Sequence, residues 1–311
     1  MRLRVAARGS KLSLIQVRIA MEWFRRSIPG LDYEVVVVKT RGDVHQDKPF
    51  HMIGGKGLFE KEVNMAVLEG RADVAVHSLK DVPSSVHPQL VLAGVPPRDP
   101  PYDVLVVRRG LEPSLEALPP GAVVGTSSAR RRAAVLNVRR DLRVEVLRGN
   151  VDTRLRKLVS GLYDAIILAE AGLKRIWGEL PPEIRESVSY ARLDPRVVPP
   201  APGQGIIGVY TLRDRGELVE ALRRASDERA LIEARAERAF LSVFGGGCHV
   251  PVGALARVED GKLTMHAVLF SLDGGKRVEA MASGDASEPE VVGVDVALEL
   301  RRRALEEGVE V

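Results

Sequence analysis

Asp164-Ala-Ile-Ile-Leu-Ala169 sets five apolar residues behind one acid and runs almost directly into a helical stretch, Ala171-Gly-Leu-Lys-Arg-Ile-Trp177. A strand that is apolar at consecutive positions, rather than alternate ones, is buried on both faces. A helix that follows it closely is the connection of a parallel sheet. Val35-Val-Val-Val38 repeats the signal. Outward from these, β-rich runs at 3–7, 33–39, 72–78, 90–95, 103–107, 142–147 and 164–169 alternate with helical periodicity at 12–27, 58–69, 129–139, 151–160 and 171–177. The alternation predicts an α/β architecture with sheets covered on both faces. Pro96-Pro-Arg-Asp-Pro-Pro101 and Val197-Val-Pro-Pro-Ala-Pro202 read as two crossings between α/β domains. The remainder has another rhythm: an amphipathic helix at 227–244, a break at Gly245-Gly-Gly247, strands at 254–258, 263–271 and 277–282, and a helix at 292–307. Asp260-Gly261 and Asp273-Gly-Gly275 are hairpin turns by composition, so a small antiparallel α+β domain is expected there.

At 311 residues the chain is long enough for two or three cores. It is 45% hydrophobic and 28% charged, the composition of a soluble globular protein. No apolar run nears the roughly 20 residues of a spanning helix. The net charge of +4 hides a skew, 36 Arg against 10 Lys. Arg presents a planar fork that grips a carboxylate or phosphate through two parallel hydrogen bonds, whereas Lys is a point charge. The excess is local: between Arg130 and Arg156 nine arginines face only Asp141, Glu145 and Asp152, a net of +6. A single cysteine excludes an intrachain disulfide and any all-Cys metal site within one chain. No metal is expected, and a reduced, cytoplasmic setting is the default.

Three clusters carry candidate chemistry. Gly125-Thr-Ser-Ser-Ala-Arg-Arg-Arg132 leaves a strand with hydroxyls where the helix N-cap belongs and arginines in the first turn, the makings of an anion site. Arg148-Gly-Asn-Val-Asp-Thr-Arg154 repeats the arrangement at a second strand-to-helix turn. A solvated helix face is the plain alternative, and the cap geometry and the recurrence weigh against it. In Val74-Ala-Val-His-Ser-Leu-Lys-Asp-Val-Pro83 the residues His77, Ser78, Lys80 and Asp81 stand at the carboxyl end of a strand, where open α/β sheets bind ligands. The Lys–Asp neighbours are either a catalytic pair or a structural ion pair, and His77 on its own reads as a structural histidine. Cys248, in Gly245-Gly-Gly-Cys-His-Val-Pro251, is either an inert small hydrophobe or a nucleophile or covalent attachment point. Gly203-Gln-Gly-Ile-Ile-Gly208 has the letters of a dinucleotide fingerprint. It follows a proline run and leads into the strand-like Val209-Tyr-Thr-Leu212, so nucleotide binding is not supported. Gly54-Gly-Lys-Gly57 likewise lacks the spacing and trailing hydroxyl of a phosphate loop.

Together these segments resemble the porphobilinogen deaminase family of tetrapyrrole (porphyrin and heme) biosynthesis. The resemblance runs along nearly the whole chain. It passes through Arg8-Gly-Ser10, Thr40-Arg-Gly-Asp43, Gly54-Gly-Lys-Gly-Leu-Phe59 and His77-Ser-Leu-Lys-Asp-Val-Pro83. It continues through Gly125-Thr-Ser-Ser128, Arg148-Gly-Asn-Val-Asp-Thr-Arg154, Ala171-Gly-Leu-Lys-Arg175, Gly203-Gln-Gly205 and Gly246-Gly-Cys-His-Val-Pro251. It implies two α/β domains like the halves of type II periplasmic binding proteins, 1–96 with 197–213, and 97–196, plus a third α+β domain at 214–311 bearing the cysteine. It implies a transferase that joins four porphobilinogen molecules head to tail into the linear tetrapyrrole hydroxymethylbilane, releasing ammonia at each addition. A dipyrromethane cofactor, held by a thioether to Cys248, primes the chain.

By the same resemblance Asp81 is a buried carboxylate that stabilises positive charge on the pyrrole nitrogens. The rings carry acetate and propionate groups, which need arginine partners. The family's motifs place Ser78, Lys80, Asp81, Thr126, Ser127, Ser128, Arg130, Arg131, Arg148 and Gly149 around the cofactor. They place Arg8, Ser10, Lys56, Arg148, Arg154, Arg175, Gln204 and Gly205 around the substrate. The segment from Asp43 to Leu58 resembles the family's mobile loop, which excludes water on closure. A cytoplasmic monomer acting on a small molecule, with no nucleic-acid or membrane partner, is implied. Three departures stand out: Met52 where many relatives have a second lysine, Glu170 at a position usually small and apolar, and Leu79 for a common Met. Two other readings compete. A non-catalytic anion binder on the same scaffold would need neither Asp81 nor Cys248. A nucleic-acid binder would want stacking platforms, and aromatic content is 4%.

Overall fold

The computed structural model describes residues 1–40, 60–244 and 250–309, and the elements that follow are those of the described residues. The chain begins with β1 (Arg2–Arg8), α1 (Lys11–Arg25), β2 (Asp32–Val38), α2 (Lys61–Leu68), β3 (Val74–Ser78), a 3-10 turn (Leu79–Asp81) and β4 (Leu90–Gly94). It continues with β5 (Asp103–Arg108), β6 (Val123–Gly125), α3 (Ala129–Val138), β7 (Arg143–Glu145), α4 (Val151–Val159), β8 (Ala165–Ala169), α5 (Glu170–Ile176), α6 (Pro182–Glu186) and β9 (Val188–Arg192). Then come β10 (Ile207–Leu212), α7 (Gly216–Arg224), α8 (Glu228–Val243), β11 (Val252–Glu259), β12 (Lys262–Phe270), β13 (Arg277–Asp285) and α9 (Pro289–Glu306). Two compact units result: Met1–Asp99 with Gly205–Ala234, and Pro100–Gln204 with Arg235–Val311.

The sheet of the first unit has the order β2-β1-β3-β10-β4. β1 is parallel to β2 and β3, while β10 is antiparallel to both its neighbours. Side chains alternate across it as the pleat requires. Val5, Ala7, Val74, Val76 and Val209 join the core under α1 and α7. Ala6, Ala75 and Tyr210 face the other way, against Val63, Ala66 and Val67 of α2 and Ala230 and Ala234 of α8. One strand departs from the expectation of full cover. β2 pairs only with β1 at the edge, and Val35 and Val37 are 38% and 56% exposed. An unbroken valine run reports β propensity as much as burial.

The second unit repeats the plan in β7-β6-β8-β5-β9, with β6 parallel to β7 and β8, and β5 antiparallel to β8 and β9. With the antiparallel strand set aside, the other four strands of each sheet run second, first, third, fourth in chain order, and the antiparallel strand lies between the last two. β8, whose apolar run first indicated a covered sheet, lies inside this one and is buried along Ala165–Leu168. Its core gathers Leu105, Val107, Val124 and Ile167 with Ala133, Ala134 and Val135 of α3, and Val268 and Phe270 of β12 join the same cluster. The antiparallel sheet β11-β12-β13 therefore shares a core with the α/β sheet. Its first hairpin turns at Asp260-Gly261, both with positive φ.

The compact units divide at 99/100, 204/205 and 234/235, where the expected domain bounds were 96/97, 196/197 and 213/214. The second division lies past the proline run because the Gln204 side chain is held by Pro101 O and Asp103. The third falls inside α8, because α7 buries Leu218, Val219 and Leu222 in the first unit's core. Gly203 and Gly205 have φ of +78° and +87° and make a turn into β10, so the Gly203–Gly208 run opens a strand.

Gly293 lets α9 approach α8 closely: a Cβ there would lie 2.2 Å from Ala236 O. Alanine gains about 1 kcal/mol of helix propensity over glycine, whereas overpacking costs about 1–3 kcal/mol. A backbone oxygen cannot rotate aside, so the clash wins. Gly293→Ala is expected to lower the denaturant midpoint of unfolding, and an unchanged or higher midpoint would mean that the two helices separate without penalty.

Candidate functional site

In the first unit Arg8 ends β1, Ser10 caps α1, and Ser78 ends the neighbouring parallel strand β3. The Ser10 Oγ accepts the Ser13 N–H at 3.3 Å and donates to Ser13 Oγ at 3.0 Å. The 3-10 turn that follows β3 is pinned at its start, where Leu79 N–H donates to Ile206 O at 2.9 Å, and is closed by Val82 N–H to Leu79 O at 3.1 Å. Leu79 is buried and takes the inside of the turn, leaving Lys80 half-buried and Asp81 exposed. The expectation of a buried carboxylate is thus corrected: the apolar residue of the turn claims the core, and Asp81 stands at the surface. Gln16 Nε2 donates to Ser78 Oγ at 2.6 Å, which leaves the serine proton for another acceptor. His77 is buried, with Nε2 2.9 Å from Asn64 Oδ1. Burial, and then the Arg8 charge, push its pKa down to about 4, so the ring is neutral and donates. It is a satisfied structural histidine.

In the second unit three strand-to-helix turns stand side by side at the carboxyl ends of β7, β6 and β8. Thr126, Ser127 and Ser128 form the turn after β6. Ser128 N–H donates to Thr126 Oγ1 at 3.2 Å, Ser127 Oγ donates to Leu147 O at 2.6 Å, and Ser128 Oγ caps α3 by accepting the Arg131 N–H at 3.4 Å. These hydroxyls bind the turns to one another. After β7, Gly149 has φ +110° and a Cβ there would strike Thr153 at 2.8 Å, so only glycine fits. Arg154 Nε donates to Gly149 O at 2.7 Å, and Lys157 Nζ to Arg148 O at 3.1 Å. Arg148, Arg154 and Arg175 are half-buried.

Arg130 and Arg131 differ from the other arginines. Both side chains are nearly excluded from water and share Asp103, Arg130 Nη1 reaching Oδ2 at 2.6 Å and Arg131 Nη2 reaching Oδ1 at 2.7 Å. Arg130 also donates to Pro199 O, and Arg131 Nη1 to Ile167 O at 3.0 Å. Burial would raise the Asp103 pKa, but the two guanidinium charges outweigh it and hold the carboxyl well below its usual range. An internal acid thus takes part of the donor capacity of the two arginines expected to meet ligand carboxylates. Gln204 is held internally as well. Its side chain is buried on Pro101 O (2.6 Å) and Asp103 Oδ1 (2.9 Å), while Gly205 lies in the other unit, its carbonyl accepting from Asp99 N–H at 3.1 Å.

Glu170 points inward, as its position allowed, but it is neutralised there. Burial raises its pKa, and hydrogen bonds from Arg192 (2.9 Å) and Lys174 (2.7 Å) more than reverse that. Lys56, Met52, Cys248 and the segment from Asp43 to Leu58 lie outside the described residues. Sequence reasoning missed Asp103 and Gln16. The signal for Asp103 was an acid at the head of an apolar strand, directly after Pro100-Pro-Tyr102. Among the described residues no group of three or more His, Cys, Asp or Glu could hold a metal ion, and no helix is long and apolar enough to cross a membrane.

A family model described as porphobilinogen deaminase, dipyromethane cofactor binding domain, matches residues 3–220, and one for the porphobilinogen deaminase C-terminal domain matches 231–302. The chain is 62% identical to a probable porphobilinogen deaminase of Hyperthermus butylicus over 309 residues, 99% of each chain. It is 51% identical to one of Pyrobaculum calidifontis, over 97% of this chain and 98% of that one. It is 46% identical to the porphobilinogen deaminase of Roseiflexus castenholzii, over 96% and 95%. Among solved structures, the BvgS VFT2 domain of Bordetella pertussis matches 72% of this chain and 86% of its own at 17% identity, with a TM-score of 0.45.

The buried His77 has a consequence for acid stability. Its pKa falls from the ordinary 6.5 to about 4 in the fold, so the unfolded chain binds the extra proton more readily between those values. Its contribution is complete above pH 6.5 and is lost as the pH falls towards 4. His77→Gln is expected to flatten the pH dependence of unfolding free energy across that window. A dependence identical to that of the parent would remove His77 as its source.

Proposed function

We infer the roles of single residues from one premise: the chain belongs to the porphobilinogen deaminase family. It is a transferase of tetrapyrrole biosynthesis that condenses porphobilinogen stepwise with the help of a dipyrromethane cofactor. The residue roles rest on the gathering of Arg8, Ser10, Ser78, Lys80 and Asp81 at the ends of adjoining parallel strands. In this reading Asp81 is the catalytic carboxylate. It balances positive charge on the pyrrole nitrogens, and its exposure lets the incoming rings themselves displace water and strengthen the interaction. Ser78, its oxygen engaged by Gln16, offers its proton beside Asp81. Arg8, Lys80, Arg148, Arg154 and Arg175 pair with the acetate and propionate groups of the growing chain.

The donor set suits a cofactor rich in carboxylates. Two guanidinium groups against one carboxylate leave the Arg130–Arg131–Asp103 cluster with a surplus positive charge, and the buried Nε of Arg131 has no hydrogen-bond partner. Arg130, Arg131, Arg148 and the Thr126–Ser128 turn would hold that cofactor, with Cys248 carrying it through a thioether. When bound, it supplies the nucleophilic pyrrole carbon on which the chain is built. Further proposals are three domains, the first two sharing the lineage of type II periplasmic binding proteins as their common strand order suggests, and a cytoplasmic monomer.

Intact mass tests the reading. The purified protein is expected to be heavier than its sequence by two linked pyrrole units, and Cys248→Ser to lack that increment; unmodified mass together with no bilane formation would sink it. Asp81→Ala is expected to unfold like the parent yet lose about 10²–10³-fold in turnover, the size of a lost charge-stabilising group. Near-normal turnover would take Asp81 out of the mechanism.

A further inference from the structure

Asp103 has been given no role of its own, yet it touches both of the buried arginines assigned to the cofactor. Its Oδ2 accepts from Arg130 and its Oδ1 from both Arg131 and Gln204, with contacts of 2.6, 2.7 and 2.9 Å. Its side chain is fully buried and those of both arginines are nearly so. Each arginine has a second anchor on a backbone carbonyl, Pro199 O for Arg130 and Ile167 O for Arg131. The guanidinium planes are therefore set by Asp103 and by two fixed carbonyls, not by solvent.

Two cations alone in such a place would repel each other and splay. One carboxylate between them brings the cluster to a single net positive charge and aims it, while the unpartnered Nε of Arg131 shows that the arginines' donors are not exhausted. We propose that Asp103 is the positioning residue of the deaminase, holding Arg130 and Arg131 as one pre-aimed, singly charged receptor for a carboxylate of the dipyrromethane cofactor. The proposal rests on the deaminase reading above. Asp103 touches no reacting atom and acts through the arginines it orders.

A structural carboxylate of similar construction exists elsewhere in the chain. Asp73 is buried and accepts from Arg4 N (2.8 Å), Arg4 Nη2 (3.1 Å) and Arg215 Nη1 (2.7 Å), remote in function from any cofactor role. Asp103→Asn and Asp73→Asn, compared in the full-length protein as purified, separate positioning from stability. Both are expected to lower the unfolding midpoint. Only Asp103→Asn is expected to reduce the fraction of molecules carrying the two-pyrrole mass increment, by at least tenfold. A full increment with unchanged KM in Asp103→Asn overturns the proposal, as does an equal loss of the increment in Asp73→Asn. Should Asp103→Asn fail to fold, Asp103→Glu decides, because it keeps the charge and shifts the arginines by one methylene. A porphobilinogen KM raised at least fivefold with kcat within twofold supports positioning, and an unchanged KM overturns it. A parent protein that lacks the mass increment and also forms no bilane would instead refute the deaminase reading on which the proposal stands.

Discussion

Moving a charged side chain out of water costs several kcal/mol even after relaxation, and a like-charged neighbour adds to it. The second unit nevertheless buries two arginines side by side, and it can do so because Asp103 divides its two oxygens between them. The remaining donors find Pro199 O and Ile167 O, and Gln204 completes the shell of the carboxylate. The participants come from the head of β5, the first turn of α3, the middle of β8, the proline run at Pro199 and the turn before β10. Breaking the cluster would therefore loosen several elements at once. The order of this corner of the protein follows from one carboxylate.

The same logic bears on the arginine-rich stretch from 130 to 156. By charge alone it reads as an anion site with six positive charges to spare. In the fold much of it is internal wiring. Arg132 donates to Val144 O, Arg139 to Asp141 and to the carbonyls of Leu115 and Leu118, Arg143 to Glu145, and Arg154 to Gly149 O. A planar fork that suits a ligand carboxylate suits a bare loop carbonyl equally well. Counting charges finds the region, and only the geometry tells which forks face outward.

Much of the fold was legible in the sequence because its signals are local: the covered strand β8, the hairpin at Asp260-Gly261, the hydroxyl cap before α3. The misreadings share a cause, which is dependence on distant partners. Nothing in Val35–Val38 says that β2 will lie at an edge. Nothing near residue 214 says that α7 will return to the first unit's core. Asp81 was expected inside because carboxylates that stabilise cations work best away from water, but the packing of Leu79 put it outside. Asp103 escaped notice because its partners are 27, 28 and 101 positions away.

In each α/β sheet the antiparallel strand occupies the fourth place, between two others, yet it comes last among the strands of the first unit and first among those of the second. During synthesis β4 leaves the ribosome with the gap beside it unfilled, and β10, which must slip between β3 and β4, emerges only after the whole of β5 to β9. The second α/β sheet is thus an insertion that can pair its strands while the first still lacks a member. Such long-range pairing is slow to form and exposes strand edges meanwhile. The chain's vulnerable interval is therefore the wait for residues 207–212, and substitutions that weaken β10 would be felt first as aggregation of nascent chains, before any defect in the finished enzyme.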